Sequence, residues 1–275
     1  MLTPDTLKAD GSEPTLHKVA RTWSPYTMMS ASTRARLRTV WNALGFNPDL
    51  AAQLRYELEM SLLRTRCALS PGYRRQVRML RDRRDLQIHL GCGNAVLADW
   101  INVDCYPPPR KPGREILTLD MRRGLPFASG SVRAVFTEHF LEHLPFETVR
   151  TVIVPEMYRI LESGGSVRIG VPNGAYFIEQ YLASRAGHED QVFADNRRSS
   201  TPMMMLNDIA HSFGHFFVYD FETLAMILAD NGFSDVRQCP PQQTQFAHFA
   251  GLDRVDAWRH AMTLYVEATA GGSRA

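Results

Sequence analysis

From Leu86 onward, short runs of β-branched and aliphatic residues alternate with helical patterns, and this alternation constrains the chain more than any other feature. The strand-like runs are "LQIHLG", "WINVD", "EILTLD", "VRAVF", "SVRIGVP" and "MTLYVEA". Between some of them lie "FETVRTVIVPEMYRILES" and "DFETLAMILADNGF", whose apolar residues recur at helical spacing. Strands alternating with helices predict an α/β, doubly wound, mostly parallel sheet. Ligands of such sheets bind beyond the carboxyl ends of the strands, where the strand order reverses. The residues that end the strands are therefore the ones to question.

The first 85 residues read differently. "SASTRARLRTVWNALG" opens with Ser/Thr caps and places Leu37, Val40, Trp41 and Leu44 at helical spacing before Gly45. "NPDLAAQLRYELEMSLLRTRCAL" sets Leu50, Leu54, Leu58 and Leu62 on one face, and "SPG" ends it. Residues 1–85 are expected to form an N-terminal helical extension, and residues 86–275 the ligand-binding domain. Within the extension, "RTWSPYTMMS" combines Trp23 and Tyr26 with two methionines and no clear period, and reads either as a lid or as a tail.

At 275 residues, 44% apolar and 22% charged, the composition is that of an ordinary globular protein. The net charge of +2 does not by itself point to nucleic acid. Eight arginines and one acid, Asp82, fall between Arg64 and Arg84; the bland reading is a solvated helix face, the alternative an anionic contact. Cys67, Cys92, Cys105 and Cys239 have the spacing of neither a zinc knuckle nor a disulfide framework. With no apolar run of membrane-spanning length and no signal-peptide order at the start, a cytoplasmic location is the expectation.

Gly91 and Gly93 follow the first strand, and Asp104 ends the second. A dinucleotide fingerprint needs a third glycine where Val96 stands and an acid farther on, and the loop lacks the Lys-Ser/Thr pair of a P-loop. Asp120 ends the third strand in "LTLDMRRGLPF", "TEHFLEHLP" follows the fourth, and "EMYRILESGGSVRIGVPN" contains the fifth. In order and spacing, residues 86–238 resemble class I S-adenosylmethionine (SAM)-dependent methyltransferases, in particular the methyltransferase type 11 group. The resemblance implies a Rossmann-like, seven-stranded sheet. It also implies that Gly91, Cys92 and Gly93 line the methionine moiety, Asp104 holds the ribose, Asp120 and Met121 meet the adenine, and Glu138 and His139 line the methionine end. Taken singly, each has a plain alternative: a turn, a helix cap, a surface acid.

Methyl transfer from a sulfonium is an in-line displacement, and an oxygen or nitrogen nucleophile also gives up a proton. His139 and His143 stand four apart in "EHFLEH" and are expected to share a helix face, with His139 the better candidate for proton transfer. No further acid or histidine nearby is expected to complete a metal site, so zinc is not anticipated. Asn173 and Tyr176 are placed past the fifth strand, over the cleft, where an aromatic face stabilises a sulfonium by about 0.5–2 kcal/mol. In "MMMLNDIAHSFGHFFVYDFETL", Met203, Met204 and Met205 with Phe213, Phe216 and Phe217 read as an apolar wall or as core. His211, His215, Asn207 and Tyr219 are its polar exceptions, and the resemblance puts His215 and Tyr219 where they brace the sheet edge.

The expected function is SAM-dependent methyl transfer to a small-molecule acceptor of secondary-metabolite or sugar type, with no nucleic-acid partner, no membrane span and a possible homodimer. A second reading keeps SAM but closes its aminobutyrate chain to azetidine-2-carboxylate with release of methylthioadenosine. A third is a non-catalytic SAM-binding protein, against which the intact strand-end acids argue.

Overall fold

The structure, a computed structural model, describes residues 45, 48–108, 112–196, 199–254 and 256–271. The helix expected around Leu37–Leu44 and the "TWSPY" segment lie outside the described residues. The chain divides into two compact units, Met1–Tyr56 and Glu57–Ala275. That division falls inside the first described helix, not at the expected boundary between residues 85 and 86.

Helix α1 (Pro48–Leu69) buries Met60 but leaves Leu54, Leu58 and Leu62 50%, 66% and 43% exposed. The leucine row is therefore not the helix's packing face. Ser70 then caps α2 (Pro71–Asp82), its hydroxyl accepting from Tyr73 N, with Pro71 in the first turn where a missing N–H costs nothing. Tyr73, Val77 and Leu80 turn one face of α2 onto the main core, while Arg74, Arg75, Arg78 and Arg81 occupy the exposed face. Leu80, within the expected helical extension, packs in the main core.

The sheet begins with β1 (Leu86–Leu90), β2 (Ile101–Asp104), β3 (Glu115–Thr118), β4 (Val132–Glu138) and β5 (Leu161–Pro172). Between β4 and β5 the chain makes a 3-10 turn at Leu141–His143, a helical start at Phe146–Thr148, a π-helical turn at Val149–Ile153 and α3 (Val154–Ile160). The π turn lies just ahead of Pro155, which cannot donate a backbone hydrogen bond and whose ring crowds the preceding turn. After β5 come α4 (Gly174–Arg185), α5 (Gln191–Asn196), α6 (Pro202–His211) and α7 (Phe221–Asp230). The described chain closes with β6 (Phe233–Cys239), α8 (Ala257–Met262) and β7 (Thr263–Ala270).

Strand order is β3-β2-β1-β4-β5-β7-β6. Pairings from β3 through β5 are parallel, and β7 runs antiparallel to both β5 and β6. This is the Rossmann-like, doubly wound, seven-stranded and mostly parallel sheet that was expected. Strand β6, "FSDVRQC", is absent from the strand-like runs in the sequence because it is an edge strand that buries only Phe233 and Cys239. The order reverses between β1 and β4, which places the site where Gly91 and Glu138 leave the sheet.

Candidate active site

Beyond β1 the backbone turns back on itself. Gly91 N and Cys92 N both donate to Val103 O, at 2.9 and 3.2 Å, so the loop is stitched to β2. Gly91 has φ +66°, and a Cβ there would lie 2.4 Å from the Phe140 ring. Gly93 has φ +48°, but a Cβ there would meet nothing within 4 Å. Gly91 is thus required by packing, whereas Gly93 borders open space. Cys92 points the other way: it is buried and its thiol is held well above its ordinary pKa, first by burial and then by Asp104. Only its backbone is placed to line the loop.

Asp104 ends β2 and clamps two loops. Oδ2 accepts from Gly93 N at 2.8 Å and Oδ1 from Tyr106 N at 2.9 Å. Burial raises the carboxyl above its usual pKa, against the lowering effect of the Tyr106 and Gly93 backbone bonds. The Cys105 thiol and backbone N–H add to the same lowering effect. Asp120 is different. Its Oδ1 accepts from Arg122 N and Nε, and its Oδ2 from Arg64 Nη1 at 2.6 Å and Arg122 Nη2 at 3.0 Å. The four bonds fill the carboxylate, and Arg122 and Arg64 together hold it below the usual range despite burial. Asp120 therefore works on the protein, capping the 3-10 turn Met121–Arg123; Met121 has its side chain in the core and only its backbone at the turn.

At the end of β4, Glu138 is buried and engaged: Oε1 accepts from Tyr265 Oη and Arg254 N, and Oε2 pairs with Arg254 Nε at 3.1 Å. His139 follows at φ +52°, its N–H donating to Gly170 O at 2.8 Å. The helix face expected to join His139 and His143 does not exist. The left-handed backbone at His139 ends the strand sharply, and the chain continues only as the short 3-10 turn that holds Leu141, Glu142 and His143. His139 Nε2 lies 3.0 Å from Thr263 Oγ1, and Nδ1 lies 3.2 Å from Glu142 Oε1. Thr263 sits opposite Pro172 in the β5–β7 ladder, and Asn173 N donates to Met262 O at 2.8 Å. His139 and Asn173 are thereby brought to the same end of the sheet. Asn173 caps α4 by accepting from Tyr176 N, and the Tyr176 ring packs edge-on against Phe177 and Phe193 in a satellite core. The Tyr176 hydroxyl is buried without a hydrogen-bond partner among the described residues, and its pKa rises to about 12, chiefly through burial.

The methionine-rich segment splits. Met205 and Ile209 of α6 are buried in the satellite core, while Met203, Met204, Phe213 and Phe216 are about half exposed, as an apolar wall requires. The segment is tied to the β4 loop by Phe216 N donating to Glu142 O at 2.7 Å. Glu142, next to His143 in the sequence, is the residue the sequence reading passed over. It is fully buried, beside His139, His143 and His215; His139 Nδ1 faces Oε1, and Oε2 has no hydrogen-bond partner among the described residues. Burial opposes its charge, but His139 first, then His143 and His215, hold the carboxyl below its ordinary pKa. Against the expectation that no further acid or histidine nearby completes a site, Glu142 and His215 lie beside His143. Tertiary folding brings in His215 from beyond α6, which no local spacing reveals.

The strand order, with a glycine loop beside a strand-end acid, is that of a Rossmann-like sheet. Residues 88–169 match a family model described as a methyltransferase domain. Over those residues the chain is similar to methyltransferase domains. Among solved structures, a SAM-dependent methyltransferase from Archaeoglobus fulgidus is 15% identical, with 78% of this chain and 99% of that chain covered at a TM-score of 0.39. Geranyl diphosphate C-methyltransferase from Streptomyces coelicolor A3(2) is 14% identical, with 72% and 78% covered and a TM-score of 0.38. No curated protein matches the chain. No helix among the described residues is long and apolar enough to cross a membrane.

Proposed function

We propose that the chain is a SAM-dependent methyltransferase that acts on a small molecule with an apolar body, bound between the β4 loop and the α6 segment. The observation that carries the reading is the half-exposed set Met203, Met204, Phe213 and Phe216, tethered to the β4 loop through Glu142 O. Such a surface is adaptable and favours apolar acceptors over a bare sugar.

When bound, SAM supplies an activated methyl group for in-line displacement by the acceptor. The chain's part is to hold and orient. Gly91, Cys92 and Gly93 line the methionine moiety through their backbone, and the open space above Gly93 is what a close-lying ligand needs. Asp104, at the end of β2, receives the ribose hydroxyls. Asp120 fixes the turn whose Met121 backbone faces the adenine, in place of receiving the base itself. Glu138 braces the loop at Arg254, and Asn173 and Tyr176 shape the floor at the end of β5. His139, held between Thr263 and Glu142, is the candidate to accept a proton from the nucleophile, with the acceptor taking the place of the Thr263 hydroxyl.

Two measurements test this. Calorimetry with Asp104→Ala should show SAM binding lost, because charge-assisted bonds of this kind are each worth about 1.5–3 kcal/mol. Unchanged affinity removes Asp104 from the site. Mass spectrometry of the wild type given SAM alone should show little turnover, and S-adenosylhomocysteine should appear only when apolar nucleophiles are added. Rapid release of methylthioadenosine from SAM alone would replace methyl transfer with ring closure of the aminobutyrate chain.

A further inference from the structure

We propose that Glu142, His143 and His215 form a binding site for a divalent transition-metal ion of the zinc class. One ligand atom from each residue lies within 4.8 Å of the others, close enough for a modest inward movement to bring all three onto one ion. Glu142 is the independent pointer: its carboxylate has no accessible surface, His139 Nδ1 reaches only Oε1, and Oε2 is left without a hydrogen-bond partner among the described residues, an arrangement that a bare fold avoids. The histidines are prepared in the same sense. His215 Nδ1 lies 2.7 Å from Ile209 O and His143 Nδ1 lies 3.3 Å from Gly214 O. Carbonyls only accept, so Nδ1 carries the proton in both rings and Nε2 keeps its lone pair. Backbone carbonyls that fix the tautomer and orientation in this way are the usual outer partners of metal-bound imidazole.

Two imidazoles and one carboxylate form a borderline donor set, suited to zinc and its neighbours and poorly suited to magnesium or calcium. Three protein ligands leave a further coordination position. Both histidines are only half-buried, so an ion and its water have a way in. The ligands come from the turn after β4 and the loop after α6, so the ion would pin the apolar segment to the sheet's carboxyl edge.

The test uses the full chain, stripped with chelator and titrated with Zn2+ against a chromophoric competitor. About one zinc per chain is expected, with a matching Co2+ adduct whose visible absorption is intense, as for low-symmetry N/O coordination. Glu142→Gln, nearly isosteric, and His215→Ala should each weaken zinc binding by more than about tenfold, whereas His211→Ala, on the same segment but outside the cluster, should not. Absence of stoichiometric zinc in the wild type overturns the proposal. So does equal affinity in Glu142→Gln and His215→Ala. Where a variant fails to fold, the wild-type Co2+ spectrum decides: a spectrum of hydrated cobalt only counts against the site. SAM affinity is read by separate calorimetry, so loss of the metal site and failure of the cofactor assignment are distinguishable.

Discussion

Two glycines one residue apart carry different demands, and a pair of substitutions separates them. Gly91→Ala places a methyl group 2.4 Å from the Phe140 ring on a backbone at φ +66°, so the fold itself should suffer, with a lower urea midpoint. Gly93→Ala meets open space, so stability should fall by only about 1 kcal/mol from the left-handed backbone while SAM affinity falls by much more. Equal effects on stability would sink the distinction. His89 gives a pH signature. It is 2% exposed in β1, and burial lowers its pKa from 6.5 to about 4. Above pH 6.5 both folded and unfolded forms are neutral. Below it the unfolded chain takes up a proton that the folded one refuses, so stability falls with pH until about pH 4 and then levels off. The total is on the order of 3 kcal/mol. Denaturation curves of wild type and His89→Leu should therefore converge on acidification from pH 7 to pH 4, and a constant gap would show that His89 ionises freely. The turn at Gly91 and Gly93 and the strand-end position of Asp104 could be read from the sequence because a turn after a strand needs little context. The surroundings of Asp120 and Glu142 could not, because Arg64 and His215 arrive from other elements.

Strands β5 and β7 are joined by more than their ladder. Arg168 and Glu267 face each other in register, and the Arg168 guanidinium, 1% exposed, pairs with Asp253 at 2.5 Å and Glu267 at 2.6 Å. Thr244 Oγ1 also donates to Glu267, and the Arg168 guanidinium lies 4.8 Å from the centre of the Tyr265 ring. Removing the cation leaves two buried carboxylates without their partner, so Arg168→Met should cost about 3–5 kcal/mol. Adding Glu267→Gln and Asp253→Asn should restore part of that loss. If chemical denaturation shows the single variant as stable as the triple, the cluster is not holding the antiparallel pair. At this scale the sequence was read well wherever burial reaches most of the strand, as in β1, β2 and β4. It failed at β6, where solvent on the edge dilutes the pattern, and at "EHFLEH", where four-residue spacing imitates a helix that the left-handed His139 forbids. The leucines of α1 show the converse error: a helix is real, yet its apolar row faces outward.

Across the whole molecule the exposed faces differ in kind. The arginines of α2 lie on solvent opposite the face packed on the sheet, while the carboxyl edge carries the buried acids Asp120, Glu138 and Glu142. Charge is thus kept inside the working edge by specific partners and left loose elsewhere, which the net value of +2 conceals. The fold class could be read from alternation alone because a doubly wound sheet repeats one simple unit. Its antiparallel element could not, since nothing local in "MTLYVEA" says that it enters the sheet between two earlier strands. That insertion has a consequence for a chain emerging from the ribosome. Strand β6 is made before β7, yet its neighbour in the sheet is β7, so it waits with both edges unpaired while the intervening loop and α8 are translated. At about 5–20 residues per second the wait is on the order of seconds, long compared with the microsecond closure of a hairpin. The polar, charge-bearing sequence "FSDVRQC" that hid β6 from view is what keeps such a waiting strand from pairing with a neighbouring nascent chain.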